Sequence, residues 1–109
     1  MDFEEYQKKA GKTAIYPGIG KNFVYPTLGL AGEAGELANK VKKIIRDHES
    51  VIKEEHREDM KGELGDVLWY VAQTATEFGL SLEDVAQANI EKLASRHSRG
   101  KISGSGDSR

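Results

Sequence analysis

The sequence predicts an all-α protein: an antiparallel bundle of about four helices, assembled as an oligomer. Three observations carry this expectation. Apolar residues recur every three or four positions over long stretches. No stretch shows the alternation of a half-buried strand convincingly. And 109 residues arranged as four segments are too few to cover both sides of two long helices.

The elements follow in order. Residues 2–10 form a short first helix. Residues 11–22, "GKTAIYPGIGKN", hold three glycines and a proline and form a loop. Pro26 suits the first turn of the second helix. That helix continues to about Asp47, with Leu30, Ala34, Leu37, Val41, Ile44 and Ile45 at helical spacing. After the connector "HESVIK", a third helix runs from about Glu54 to Phe78. Met60, Leu64, Val67, Leu68, Val71, Ala75 and Phe78 share its apolar face. Gly79 stops it. Ser81 is the N-cap of a fourth helix, with Asp84 at the capping-box position, and this helix ends near His97. The tail "SRGKISGSGDSR" is polar and rich in Gly and Ser.

These features describe a single domain over 1–109, with a helical core at about 24–97, a mobile loop at 11–22 and a flexible tail at 98–109. Charged residues make up 31% of the chain, which fits a soluble protein. The net charge of −2 comes without a long basic block, so no nucleic-acid partner is expected. There is no cysteine, which removes disulfide scaffolds and thiolate metal sites. No apolar run approaches the length of a membrane span, and "MDFEEYQKK" lacks a signal-peptide pattern. A cytoplasmic location is the expectation.

Two helical turns bear the chemistry: Glu33-Ala34-Gly35-Glu36 and Glu63-Leu64-Gly65-Asp66. A spacing of three puts both carboxylates of each pair on one helix face. On a wheel of about 100° per residue, Glu33 falls roughly 40° from Leu37, inside the apolar arc, and Glu36 lies on its border. Glu63 and Asp66 flank the apolar face of the third helix, and Tyr70 continues their stripe. If the two helices pack antiparallel, four carboxylates converge. Like charges in a half-buried place repel, and a hard divalent cation resolves the repulsion. The plainer reading is a solvated charged face, with Glu36 and Lys40 as an ordinary ion pair one turn apart. Gly35 and Gly65, beside the carboxylates, are expected to clear space for a close approach. Gly29 and Gly32 do the same a turn earlier, or simply allow tight helix packing.

The ExxE turn, the ExxD turn within "KGELGDVLWY", and the Asn and Lys of "NIEKLASR" together resemble the MazG-like nucleoside triphosphate pyrophosphohydrolases of the all-α NTP pyrophosphatase superfamily. The resemblance covers about Tyr25 to Arg96. It implies that Glu33, Glu36, Glu63 and Asp66 bind Mg²⁺, with Mn²⁺ a possible substitute, and serve catalysis. It further implies that Asn89 and Lys92 meet the nucleotide, and that Tyr70 contacts substrate. Arg96, on the same stripe as Asn89 and Lys92, adds positive charge for a triphosphate. Asn89 lies inside the apolar arc of the fourth helix, so a buried amide is expected, bonded either to substrate or to a neighbouring helix. Lys40 and Lys43 read mainly as solvated charge.

Other motifs fail. "AGKTA" lacks the glycine of a phosphate loop five residues before Gly11. His48, His56 and His97 have no glutamate three positions back, so a di-iron bundle is not indicated, and they read as exposed helix-end residues. The expected activity is hydrolysis of a (d)NTP to (d)NMP and pyrophosphate by water attack at the α-phosphorus. The alternatives are a non-catalytic helical interaction module with an acidic face, and a related phosphoribosyl-nucleotide pyrophosphohydrolase. Trp69 lies roughly 160° from Val71 on the helical wheel, and Leu28 about opposite Leu37. These back faces suggest a homodimer or homotetramer, unless Trp69 packs under the first helix or the 11–22 loop, or stacks on a base.

Overall fold

The computed structural model describes residues Met1 to Arg109, and its regular structure is four helices without a strand: α1 (Phe3–Gly11), α2 (Val24–His48), α3 (Glu54–Glu77) and α4 (Leu82–Ser98). Local chemistry sets each boundary. The Asp2 carboxylate accepts the Glu5 N–H at 2.8 Å and starts α1. Asn22 Oδ1 accepts the Tyr25 N–H at 3.0 Å at the start of α2, and Pro26 sits buried in the first turn. At the end of α2, Glu49 and Ser50 adopt φ of 52° and 64°, turning the chain back towards α3. His56 Nδ1 accepts the Lys53 N–H at 3.0 Å and caps α3. Gly79, at φ 69°, ends it, and Ser81 Oγ accepts the Asp84 N–H at 3.3 Å to open α4.

The main packing unit is the antiparallel hairpin of α2 and α3. Its pairings run in order from one end to the other. His48 meets His56 with ring centroids 4.7 Å apart. Lys40 meets Asp59 and Glu63. Gly29 meets Tyr70, and Phe23 meets Phe78. His48 and His56 are therefore half-buried partners rather than exposed helix ends; only His97 is exposed.

α1 lies across the far half of α3 and the start of α4. Gln7 clamps that corner. Its amide donates to Thr76 Oγ1 and the Leu80 carbonyl, and its Oε1 accepts the Leu82 N–H. The inner face of α3 is accordingly centred on Ala72, Gln73 and Ala75, which are buried. Leu64 and Phe78, expected on that face, are 55% and 57% exposed. α1 shifts the buried stripe because it covers a side of α3 that a two-helix wheel leaves open.

α4 touches α1 and α3 but makes no contact with α2. A closed four-helix bundle is therefore not formed within one chain. Val85, Ile90 and Leu93 of α4 stay exposed, and so does Asn89, which the wheel had placed in an apolar arc. Only the start of that arc, at the buried Leu82, is covered by its neighbours.

Candidate functional site

Gly29 and Tyr70 organise the site. A side chain at Gly29 would collide with the Tyr70 ring, so glycine here lets the ring lie against α2. At Gly32, Gly35 and Gly65 an added methyl would meet open space. The close approach expected at Gly35 and Gly65 is thus found at Gly29 alone. The two acidic turns leave their glycines pointing away from the helix contact.

One turn later on α2, Glu33 faces Asp66 and Glu63, which lie one and two turns before Tyr70 on α3. One carboxylate oxygen from each lies within 4.8 Å of the others. Glu36 is not in this trio; it is exposed, though near enough to add to the repulsion felt by Glu33. Burial pushes the Glu33 carboxyl above its ordinary value, and the charges of Asp66, Glu63 and Glu36 push it further. Glu33 and Glu63 are half-buried and Asp66 is exposed; the Glu63 side chain is 14% exposed. Its Oε1 accepts from Lys40 Nζ at 2.7 Å, while its Oε2 is buried with no partner. Lys40 also donates to Asp59 Oδ1 at 2.6 Å. Its ammonium is held in the charged form by hydrogen bonds to Asp59 first and Glu63 second. The expected Lys40–Glu36 pair is replaced by these contacts across the hairpin.

The donor set fits a hard divalent cation. All three groups are carboxylates, their charges are uncompensated except at Lys40, and a buried oxygen stands without a hydrogen bond. Glu33, Glu63 and Asp66 would hold such an ion, which would supply charge neutralisation at the site.

Above the trio is a cleft of about 350 Å³ lined by Thr13, Glu33, Asp66, Trp69 and Tyr70. That volume is within the range of small-molecule sites, about 300–1,000 Å³. Trp69 is half-buried, packs edge-on against Tyr70 at 5.0 Å, and its indole N–H donates to Thr13 Oγ1 at 2.8 Å. It is covered by the segment after α1, the alternative that the wheel left open, rather than being a bare back face. Trp69 lines the cleft where the base-stacking alternative would put it, whereas Thr13 carries no site motif in the sequence. The "GDVLWY" spacing places Trp69 three positions after Asp66, which is the signal that was available.

The loop between α1 and α2 forms one side of the cleft and is tied to α3 at Glu77. The Tyr16 hydroxyl donates to Glu77 Oε1 at 2.6 Å, the Gly20 N–H to the same oxygen at 2.8 Å, and the Asn22 N–H to Oε2 at 3.3 Å. Tyr16 is buried and stacks on Tyr25 at 4.8 Å. The loop is thus anchored along its length.

The predicted residues of α4 lie elsewhere. Asn89, Lys92 and Arg96 do not line the cleft. Lys92 Nζ donates to Asp107 Oδ1 at 2.7 Å, and the buried Arg96 donates to the same oxygen at 3.1 Å and to the Asp107 carbonyl. The C-terminal segment therefore occupies the two cations expected to meet phosphate.

The all-α hairpin thus brings Glu33 of the ExxE turn to both carboxylates of the ExxD turn, beneath an aromatic cleft. The chain belongs to the MazG family: the MazG nucleotide pyrophosphohydrolase domain matches residues 26–100. It is 54% identical over its whole length to the whole of the Gene 37 protein of Mycobacterium phage L5. It is also 37% identical to the uncharacterized protein YvdC of Bacillus subtilis (strain 168), over 85% of this chain and 87% of that one. No solved structure matches it. No helix is long and apolar enough to cross a membrane.

Proposed function

We propose that the protein is a Mg²⁺-dependent nucleoside triphosphate pyrophosphohydrolase that converts a (d)NTP and water to (d)NMP and pyrophosphate. The observation that carries this reading is the convergence of Glu33, Glu63 and Asp66 beneath a cleft walled by Trp69 and Tyr70. Glu33, Glu63 and Asp66 would hold the metal, with Glu36 close enough to join them when a second ion or a water network forms. Bound Mg²⁺ would neutralise the triphosphate and stabilise charge developing at the α-phosphorus. Trp69 and Tyr70 offer flat apolar surfaces to a base, and the Tyr70 hydroxyl offers a donor to a sugar or phosphate oxygen. Glu36, when it carries no metal, would take the proton of the attacking water. Asn89, Lys92 and Arg96 enter this reading only if α4 of a second copy approaches the cleft.

The test is pyrophosphate release from a panel of NTPs, dNTPs and phosphoribosyl nucleotides. Release from at least one nucleoside triphosphate is expected with Mg²⁺ or Mn²⁺ and not with chelator. Glu63→Gln and Asp66→Asn should each lower turnover by at least about 10²-fold, the scale on which catalytic electrostatic groups act. Turnover confined to phosphoribosyl nucleotides would move the assignment to that relative. No metal-dependent release from any of them would leave the acidic face as a binding surface.

A further inference from the structure

Lys40 is the sole cation in contact with the acidic trio. It projects from α2 two turns after Glu33 and bridges Asp59 and Glu63, which are one turn apart on α3. Glu63 is thereby held by one oxygen while its other oxygen remains buried and unpaired. Neither Glu33 nor Asp66 makes an ion pair, so Glu63 is the one member of the trio whose carboxylate is held by a cation.

We propose that Lys40 is a positioning residue that orients the Glu63 carboxylate for a divalent cation, with Asp59 anchoring the ammonium. This rests on the reading of the trio as a metal site. Two effects of removing Lys40 oppose each other. Taking away a positive charge makes the site more negative and favours a cation, by a screened and therefore modest amount. Freeing Glu63 lets its carboxylate rotate, and loss of a partner that orients a metal ligand typically weakens binding about 10–100-fold. The geometry points to the second effect as dominant, because the Glu63 side chain is 14% exposed and its free oxygen is buried.

Mn²⁺ binding to the metal-free, full-length protein, followed by titration calorimetry and by the paramagnetic resonance of free Mn²⁺, tests this without turnover. Lys40→Met should bind Mn²⁺ at least about tenfold more weakly. Lys40→Arg, which keeps charge and donors, should remain within a few-fold of wild type. Asp59→Asn should fall between them. Equal or tighter binding by folded Lys40→Met overturns the proposal, since it would show Lys40 acting as a competing charge. If Lys40→Met does not fold, unchanged affinity in Asp59→Asn, a half-exposed position, overturns it instead. A wild type that binds no Mn²⁺, or binds it as well after Glu63→Gln, refutes the metal-site reading itself. Wild-type binding that depends on Glu63 but not on Lys40 refutes only the positioning role.

Discussion

Gly29 and Gly35 sit six residues apart on one helix and answer to different physics. Alanine is favoured over glycine in a helix interior by about 1 kcal/mol. At Gly29 that gain is opposed by the Tyr70 ring, whose displacement resembles overpacking, a cost of about 1–3 kcal/mol. Gly29→Ala should therefore destabilise the fold and disturb the cleft that Tyr70 lines. At Gly35 a methyl meets open space, so Gly35→Ala should stabilise by up to about 1 kcal/mol. Denaturant unfolding of both variants checks the pair of signs. A destabilised Gly35→Ala would show that another surface packs against that side of α2.

At the scale of elements, two segments outside the helices bear on the site. The α1–α2 loop depends on Glu77, whose carboxyl is held below its ordinary value of 4.5, chiefly by the Tyr16 hydroxyl and then by the Gly20 and Asn22 N–H groups. A folded value below the unfolded one means that the stabilisation is complete above the ordinary value. It is lost as pH falls through the depressed one. Glu77→Gln should thus lower the Tm at neutral pH, converge with wild type in acid, and speed hydrogen exchange from Tyr16 to Asn22. A constant Tm difference across pH would contradict the assignment. The C-terminal segment is the second case. Asp107 is 83% exposed, so its ion pairs are screened and weak. If Lys92 and Arg96 meet the triphosphate, Asp107→Asn should lower KM by up to about fivefold and leave kcat unchanged. An unchanged KM would remove this pair from the substrate.

At the scale of the molecule, the single chain is open. Its radius of gyration is 16.7 Å, against about 13 Å for a compact domain of this length. Eight of 109 residues are buried, so most of the apolar surface lacks a partner within the chain. Leu28, Val41, Ile45 and Ile52 are exposed along the hairpin, and Val85, Ile90 and Leu93 along α4. We propose a homodimer or homotetramer in which these faces meet and α4 finds the helical neighbour that α2 of its own chain does not supply. Sedimentation at micromolar concentration should show at least a dimer. Ile45→Glu or Ile90→Glu should dissociate it, whereas Trp69→Glu should leave it intact and impair nucleotide binding. A fully active monomer of 12.0 kDa would refute the assembly.

The order of helices, the Gly79 stop, the Ser81 cap and the facing of Glu33 with Glu63 and Asp66 were legible in the sequence. Each depends on spacing along one helix and on a short connector that forces two long helices antiparallel. A wheel, however, contains only one helix. Which side of α3 is buried depended on where α1 crosses it, which put Ala72 and Gln73 inside and left Leu64 out. Lys40 pairs across the hairpin rather than along its own helix because α3 presents two carboxylates within its reach. Trp69 faces Thr13 because the chain after α1 returns over α3, a contact spanning 56 residues that no local pattern encodes. Periodicity and charge therefore determined the helices and the ligand-bearing turns. Tertiary structure decided the partners of Lys40 and Trp69, the exclusion of Glu36 from the trio, and the separation of α4 from α2, because each depends on long-range packing.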